Sequence, residues 1–172
     1  PYDTYSYIQH FSKNQKLEVL FFFLLGDYAQ YDKNIRFDHP KMISLIKQLG
    51  NTSTIGIHPS YASNKNSKMI GIEKQRLEHI LGKSVHHNRF HFLKFSLPKS
   101  YQQLLAYGIT DDYSMGYADQ IGFRAGTCTP FNFYDLENEV QTDLKVHPFA
   151  YMDGVLNCLL YTSDAADDWF CV

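Results

Sequence analysis

A chain of 172 residues with 44% apolar and 16% aromatic side chains can bury one sizeable core, which argues against disorder and for a single domain. The 16 basic and 18 acidic residues leave a formal net charge of -2, scattered without the basic stripe that neutralises phosphates, so no nucleic acid partner is indicated. The longest apolar run, Val19 to Leu25, is strand-sized, whereas a membrane-spanning helix needs roughly 20 residues, so no membrane segment is read here.

In chain order, the apolar run from Leu17 to Leu25, rich in Phe and closed by Gly26, predicts a strand buried on both faces of a parallel sheet. A polar, Tyr-rich loop follows. Asp38 is expected to cap a helix that Pro40 opens, with an apolar stripe of Met42, Ile43, Leu45, Ile46 and Leu49 and a stop at Gly50. Ser53 to Ile57 predicts the next strand, ending at His58. A second helix is read over about Asn66 to Leu81, on Ile70, Ile72, Leu77, Ile80 and Leu81, with Gly82 closing it. Then come a strand near Val85 to Phe92, a short helix from about Pro98 to Tyr107, and short strands near Ile109 to Tyr113, Gly122 to Ala125 and Leu144 to His147. Strands alternating with helices imply an α/β class, right-handed crossovers and parallel pairing.

The three cysteines, Cys128, Cys158 and Cys171, are too few and too irregular for a disulfide framework or a Cys-based zinc site. The start at Pro1 carries no secretory pattern, and the stretch from Cys158 to Asp167 resembles a translated sequencing adapter. The expectation is therefore one domain over residues 1–157, cut at both ends, with a non-native tail over 158–172.

In parallel α/β folds, working groups gather where strands end at their carboxyl side. Four polar clusters fall there: Gly26-Asp27, His58-Pro59-Ser60-Tyr61, Arg89-Phe90-His91-Phe92, and Asp111-Asp112 through Arg124. Taken singly, His58 and His91 read equally as hydrogen-bonded structural histidines, and Arg89 or Arg124 as plain partners of carboxylates. Asp111-Asp112 reads as turn chemistry or as functional carboxylates, with Asp112 preferred. Two imidazoles on one face near carboxylates also suit metal-assisted hydrolysis. His86 and His87 are expected to face solvent at a strand entry, and His10, His39 and His79 to lie on the surface.

The order of these segments resembles the polysaccharide deacetylase family, and more closely a divergent bacterial branch that shares Gly26-Asp27-Tyr28, His58-Pro59-Ser60-Tyr61, Arg89-x-His91 and Gly122-Phe123-Arg124-Ala125-Gly126-Thr127. The likeness implies a partial distorted (β/α) barrel that removes acetyl groups from an acetylated polysaccharide or oligosaccharide with a divalent metal, Zn2+ foremost. By position it makes His58 a metal ligand and Arg89 the groove-wall arginine. Taken with the reading of the residues themselves, the expected catalytic set is Asp112, Arg89 and Arg124, while Tyr61, Phe92 and Tyr113 are expected to stack on sugar. The family's second metal histidine, four residues after the first, is here Ala62, which cannot ligate. His91 is the expected substitute. The family's Asp-Asp motif has no counterpart in residues 1–16, and its catalytic-acid histidine would follow Asp153. A rival reading is therefore a catalytically degenerate, carbohydrate-binding or scaffold member of the same fold. An unrelated glycosidase would instead need paired carboxylates, about 5 or 6.5 to 9.5 Å apart, across the mouth.

Overall fold

A computed structural model describes residues 3–155. The proposed tail lies outside the described residues. The elements are α1 (Tyr5–Gln15), β1 (Leu20–Phe23), α2 (Pro40–Gly50), β2 (Thr54–Ile57), α3 (Lys68–Leu81), β3 (His87–Asn88), α4 (Lys99–Ala106), β4 (Asp111–Asp112), β5 (Phe131–Asp135) and β6 (Val140–Val146). Short 3-10 turns follow β2 and β3, at Tyr61–Asn64 and His91–Leu93.

The six strands form one sheet in the order β1-β2-β3-β4-β6-β5. All neighbours are parallel except β5 and β6, which form an antiparallel hairpin. Strands that follow one another in sequence and lie side by side in parallel are the wall of a (β/α) barrel. The wall is partial and distorted here, with β3 and β4 only two residues long and an antiparallel edge.

One face of the sheet packs against helices. Ile46 and Leu49 of α2, Leu77 and Ile80 of α3, and Tyr101 and Leu104 of α4 bury against Ile55, Ile57, Leu144 and Val146. Side chains alternate across a strand, so residues between those core positions turn to the opposite face. Gly56 is one of them. A Cβ there would lie 2.5 Å from the Phe22 ring and 2.8 Å from the His87 carbonyl, so only glycine lets the three strands close up.

Several local expectations are corrected. Asp38 does not cap α2: it is held by Arg36, and the imidazole Nδ1 of His39 accepts the Lys41 N–H instead. The strand expected over 85–92 stops at Asn88, because Phe92 and Leu93 adopt left-handed backbone angles, φ 56° and 49°. No strand forms over Gly122 to Ala125; that segment is turns and bends. The hairpin strand β5 and the helix α1 were not anticipated from the sequence.

Candidate functional site

His58 follows β2 at its carboxyl end, where its own N–H continues the ladder to the Phe23 carbonyl at 2.9 Å. His91 opens the turn after β3. The structure brings the two imidazoles together, ring centroids 4.9 Å apart, with His58 Nε2 and His91 Nδ1 separated by 2.9 Å. Each outer nitrogen faces a backbone carbonyl: His58 Nδ1 lies 2.6 Å from the Arg89 oxygen and His91 Nε2 lies 3.0 Å from the Tyr31 oxygen. Carbonyls only accept, so both outer nitrogens carry their protons. Two neutral imidazoles hold two N–H protons, yet three contacts ask for three. The inner nitrogens are therefore two lone pairs facing each other at hydrogen-bond distance. Burial, reinforced by the neighbouring His91, pushes the His58 pKa down to about 4, so the extra proton is disfavoured near neutrality.

Imidazoles whose far nitrogen is fixed by a carbonyl are oriented as metal ligands commonly are. The pair thus fits as two ligands. A third is not assembled: among the described residues no group of three or more His, Cys, Asp or Glu side chains could hold a metal ion. Ala62 lies in the Tyr61–Asn64 turn.

Sequence reasoning missed Asp32. It lies in the loop after β1, is 1% exposed, accepts the Tyr61 N–H at 2.7 Å and stands 3.9 Å from His91 Nε2. Beneath it, buried Glu73 of α3 accepts the Ser60 N–H and hydroxyl at 2.9 and 2.5 Å, fixing the backbone that follows His58. Burial, partly offset by those two bonds, raises the Glu73 pKa. Nothing in the local pattern marks Asp32, because its burial depends on residues 29 positions away.

The two aspartates of β4 point to opposite faces. Asp112 turns to the helix side, fully buried, and accepts from Asn88 Nδ2 at 2.6 Å, Tyr101 OH at 2.9 Å, and the Ser114 hydroxyl and N–H at 2.8 and 3.1 Å. Burial outweighs these bonds and raises its pKa. Four donors occupy its lone pairs, so Asp112 braces the sheet and offers nothing to a substrate. Asp111 turns the other way, accepting from the Thr110 hydroxyl at 2.7 Å and pairing with His147 Nε2 at 2.8 Å. His147 stacks on Tyr113, centroids 4.3 Å apart and planes within 6°. Tyr113 also meets Phe22 and His87, and burial pushes its phenol up to about 12. His87 is half-buried, with Nδ1 lacking a hydrogen-bond partner among the described residues, which overturns its expected solvent-facing place. Sequence reasoning weighs Asp111 beside Asp112 but misses its partner His147. His147 ends an apolar strand much as His58 does, which was the available signal.

The arginines stand apart from the histidine pair. Arg89 contributes its carbonyl to His58, while its guanidinium lies 4.2 Å over Phe149 and donates to the Tyr113 carbonyl at 2.8 Å. Arg124 lies 4.8 Å over Phe95. Tyr61 and Phe92 flank His91 and join Tyr31 in one aromatic cluster, whereas Tyr113 belongs to the His147 group.

No family model matches the chain, and no curated protein matches it. Among solved structures, IcaB from Ammonifex degensii is similar at 14% identity with a TM-score of 0.47. That match covers 65% of this chain and spans 55% of the other's length. The fold assignment above rests on the strand order and registers themselves.

Proposed function

We propose that the chain is a carbohydrate-deacetylase-like domain that binds an acetylated glycan at the carboxyl ends of its strands and holds one divalent cation, Zn2+ foremost, between His58 and His91. The observation that carries this reading is the proton count of the pair: both outer nitrogens are committed to carbonyls and two lone pairs converge. A divalent cation there would polarise an acetyl carbonyl and acidify a bound water. The chain's own groups would do the rest. The carbonyls of Arg89 and Tyr31 fix the tautomers, and Glu73 holds the loop that carries His58 and Ser60. On the same side of the sheet, Asp111 would accept from His147 Nε2 and orient its ring.

The absence of a third ligand among the described residues favours a second reading, a domain that binds glycan without cleaving it. One assay separates the two. Acetate release from an N-acetylglucosamine hexamer is measured with added Zn2+ for the native sequence and for His58→Ala. Zinc-dependent release abolished by the substitution supports hydrolysis; binding of the hexamer with no release supports the second reading.

A further inference from the structure

We propose that the aromatic cluster beside the histidine pair is a platform for the sugar ring of an acidic glycan, with Lys94 pairing with an anionic substituent on that ring. The inference deepens the glycan reading above by naming the substrate class, and it holds whether or not cleavage follows.

Phe92 carries two features that stability alone does not account for. It is a non-glycine residue at φ 56°, followed by Leu93 at φ 49°. Such left-handed positions are strained in bulky residues, and runs of them persist where the fold imposes a special presentation. The strained backbone also leaves the ring in water, 60% exposed. An exposed aromatic on a strained turn gains its use from something that covers it.

What covers it is set by its neighbours. Tyr31 and Tyr61 lie 4.4 Å apart, and Phe92 stands edge-on to both at 6.4 and 6.0 Å. Phe92 also lies 4.2 Å from the His91 ring, and the Tyr31 carbonyl faces His91 Nε2. A ring seated on the cluster is therefore next to the convergent nitrogens. Flat aromatic faces suit the apolar C–H face of a pyranose, while the two phenol hydroxyls suit its rim.

The charge at this edge is positive. The Lys94 ammonium lies 4.3 Å over the Tyr61 ring and donates to the Tyr61 hydroxyl, leaving further N–H donors turned outward. The nearby carboxylate, Asp32, is buried beneath the Tyr61 backbone and meets no ligand. On a chain of net charge -2, a cation fixed over the platform points to a carboxylate or sulfate on the sugar.

The test is calorimetric titration of the full chain, without added metal, using two hexasaccharides: one of alternating N-acetylglucosamine and glucuronic acid, the other of N-acetylglucosamine alone. The acidic hexamer is expected to bind about tenfold more tightly than the neutral one. Lys94→Met should erase that preference while leaving the neutral hexamer's affinity in place. Phe92→Gly should weaken both by about tenfold or more without lowering the melting temperature, because glycine relieves the left-handed strain. Equal affinity for the two hexamers, binding of neither, a preference that survives Lys94→Met, or native affinity in Phe92→Gly would each overturn the proposal. Parallel acetate assays keep the two readings apart. An acidic preference with no acetate release sinks hydrolysis and leaves the platform standing; release with no acidic preference does the reverse.

Discussion

Asp111 and Asp112 are adjacent in sequence and opposite in circumstance. Asp112 faces the helices, loses all contact with water and is saturated by donors from β3, α4 and its own turn. Asp111 faces away from the helices, remains about a quarter exposed and shares its charge with a histidine. The same contrast separates the two sides of the whole sheet. On the helix side the Asp112 carboxylate is fully partnered and acts as bracing, although the Oδ1 of Asn88 beside it lacks a partner among the described residues. On the other side, His58 and His91 have one proton too few, and His87 keeps an unpartnered nitrogen. The Asp112 carboxylate is saturated and braces the fold, whereas the histidine pair keeps hydrogen-bonding capacity to spare.

The strongest way to break this contrast is to remove Asp112. Asp112→Ala strands four buried donors at once and is expected to cost about 3–5 kcal/mol, measured as a fall in the urea midpoint, which is a large share of a small domain's stability. A loss below about 1 kcal/mol would mean that the network is not bracing the fold.

A smaller effect is expected from Gly26→Ala. The added Cβ would stand 2.6 Å from the Ser60 Cβ, forcing apart β1's end and the loop that Glu73 anchors, at a cost of about 1–3 kcal/mol. Because that loop follows His58, hexasaccharide affinity should fall along with stability. Retained affinity in a destabilised variant would show that the loop does not shape the site.

The smallest effect sharpens the comparison. For Asp111, burial raises the pKa, but the bonds from His147 and Thr110 outweigh it and the net shift is downward. A carboxyl lowered on folding contributes stability above its unfolded value near 4 and loses it as pH falls through the lower folded value. Asp111→Asn should therefore lower the melting temperature modestly at pH 7, with the deficit shrinking as pH falls below about 4, so that the variant's acid limb is flatter. An unchanged acid limb would dissociate Asp111 from His147.

Much of the fold was legible in the sequence. The Phe-rich run, the helical stripes ending at Gly50 and Gly82, and the Ile-Gly-Ile-His strand all lie near their predicted positions, because each rests on local periodicity. The helix-side half of the site was misread for the opposite reason. Asp112 looked functional because nothing in a linear pattern tells which face of a two-residue strand it takes, or that Asn88, Tyr101 and Ser114 would enclose it. Asp32 escaped notice in a polar loop whose burial comes from Tyr61. His91 is singled out in the sequence by the gap at Ala62 rather than by a motif. Its contact with His58 is made by a turn whose left-handed residues, Phe92 and Leu93, contradict the strand their sequence suggests.

The most direct test of the central claim is a Zn2+ titration of thermal stability at pH 7 for the native chain, His58→Gln and His91→Gln. If the two inner nitrogens share one cation, Zn2+ stabilises the native chain by about 2.7 kcal/mol at a hundredfold excess over its dissociation constant, and each substitution removes that gain. A native chain indifferent to Zn2+, or stabilisation that persists in both variants, would contradict it.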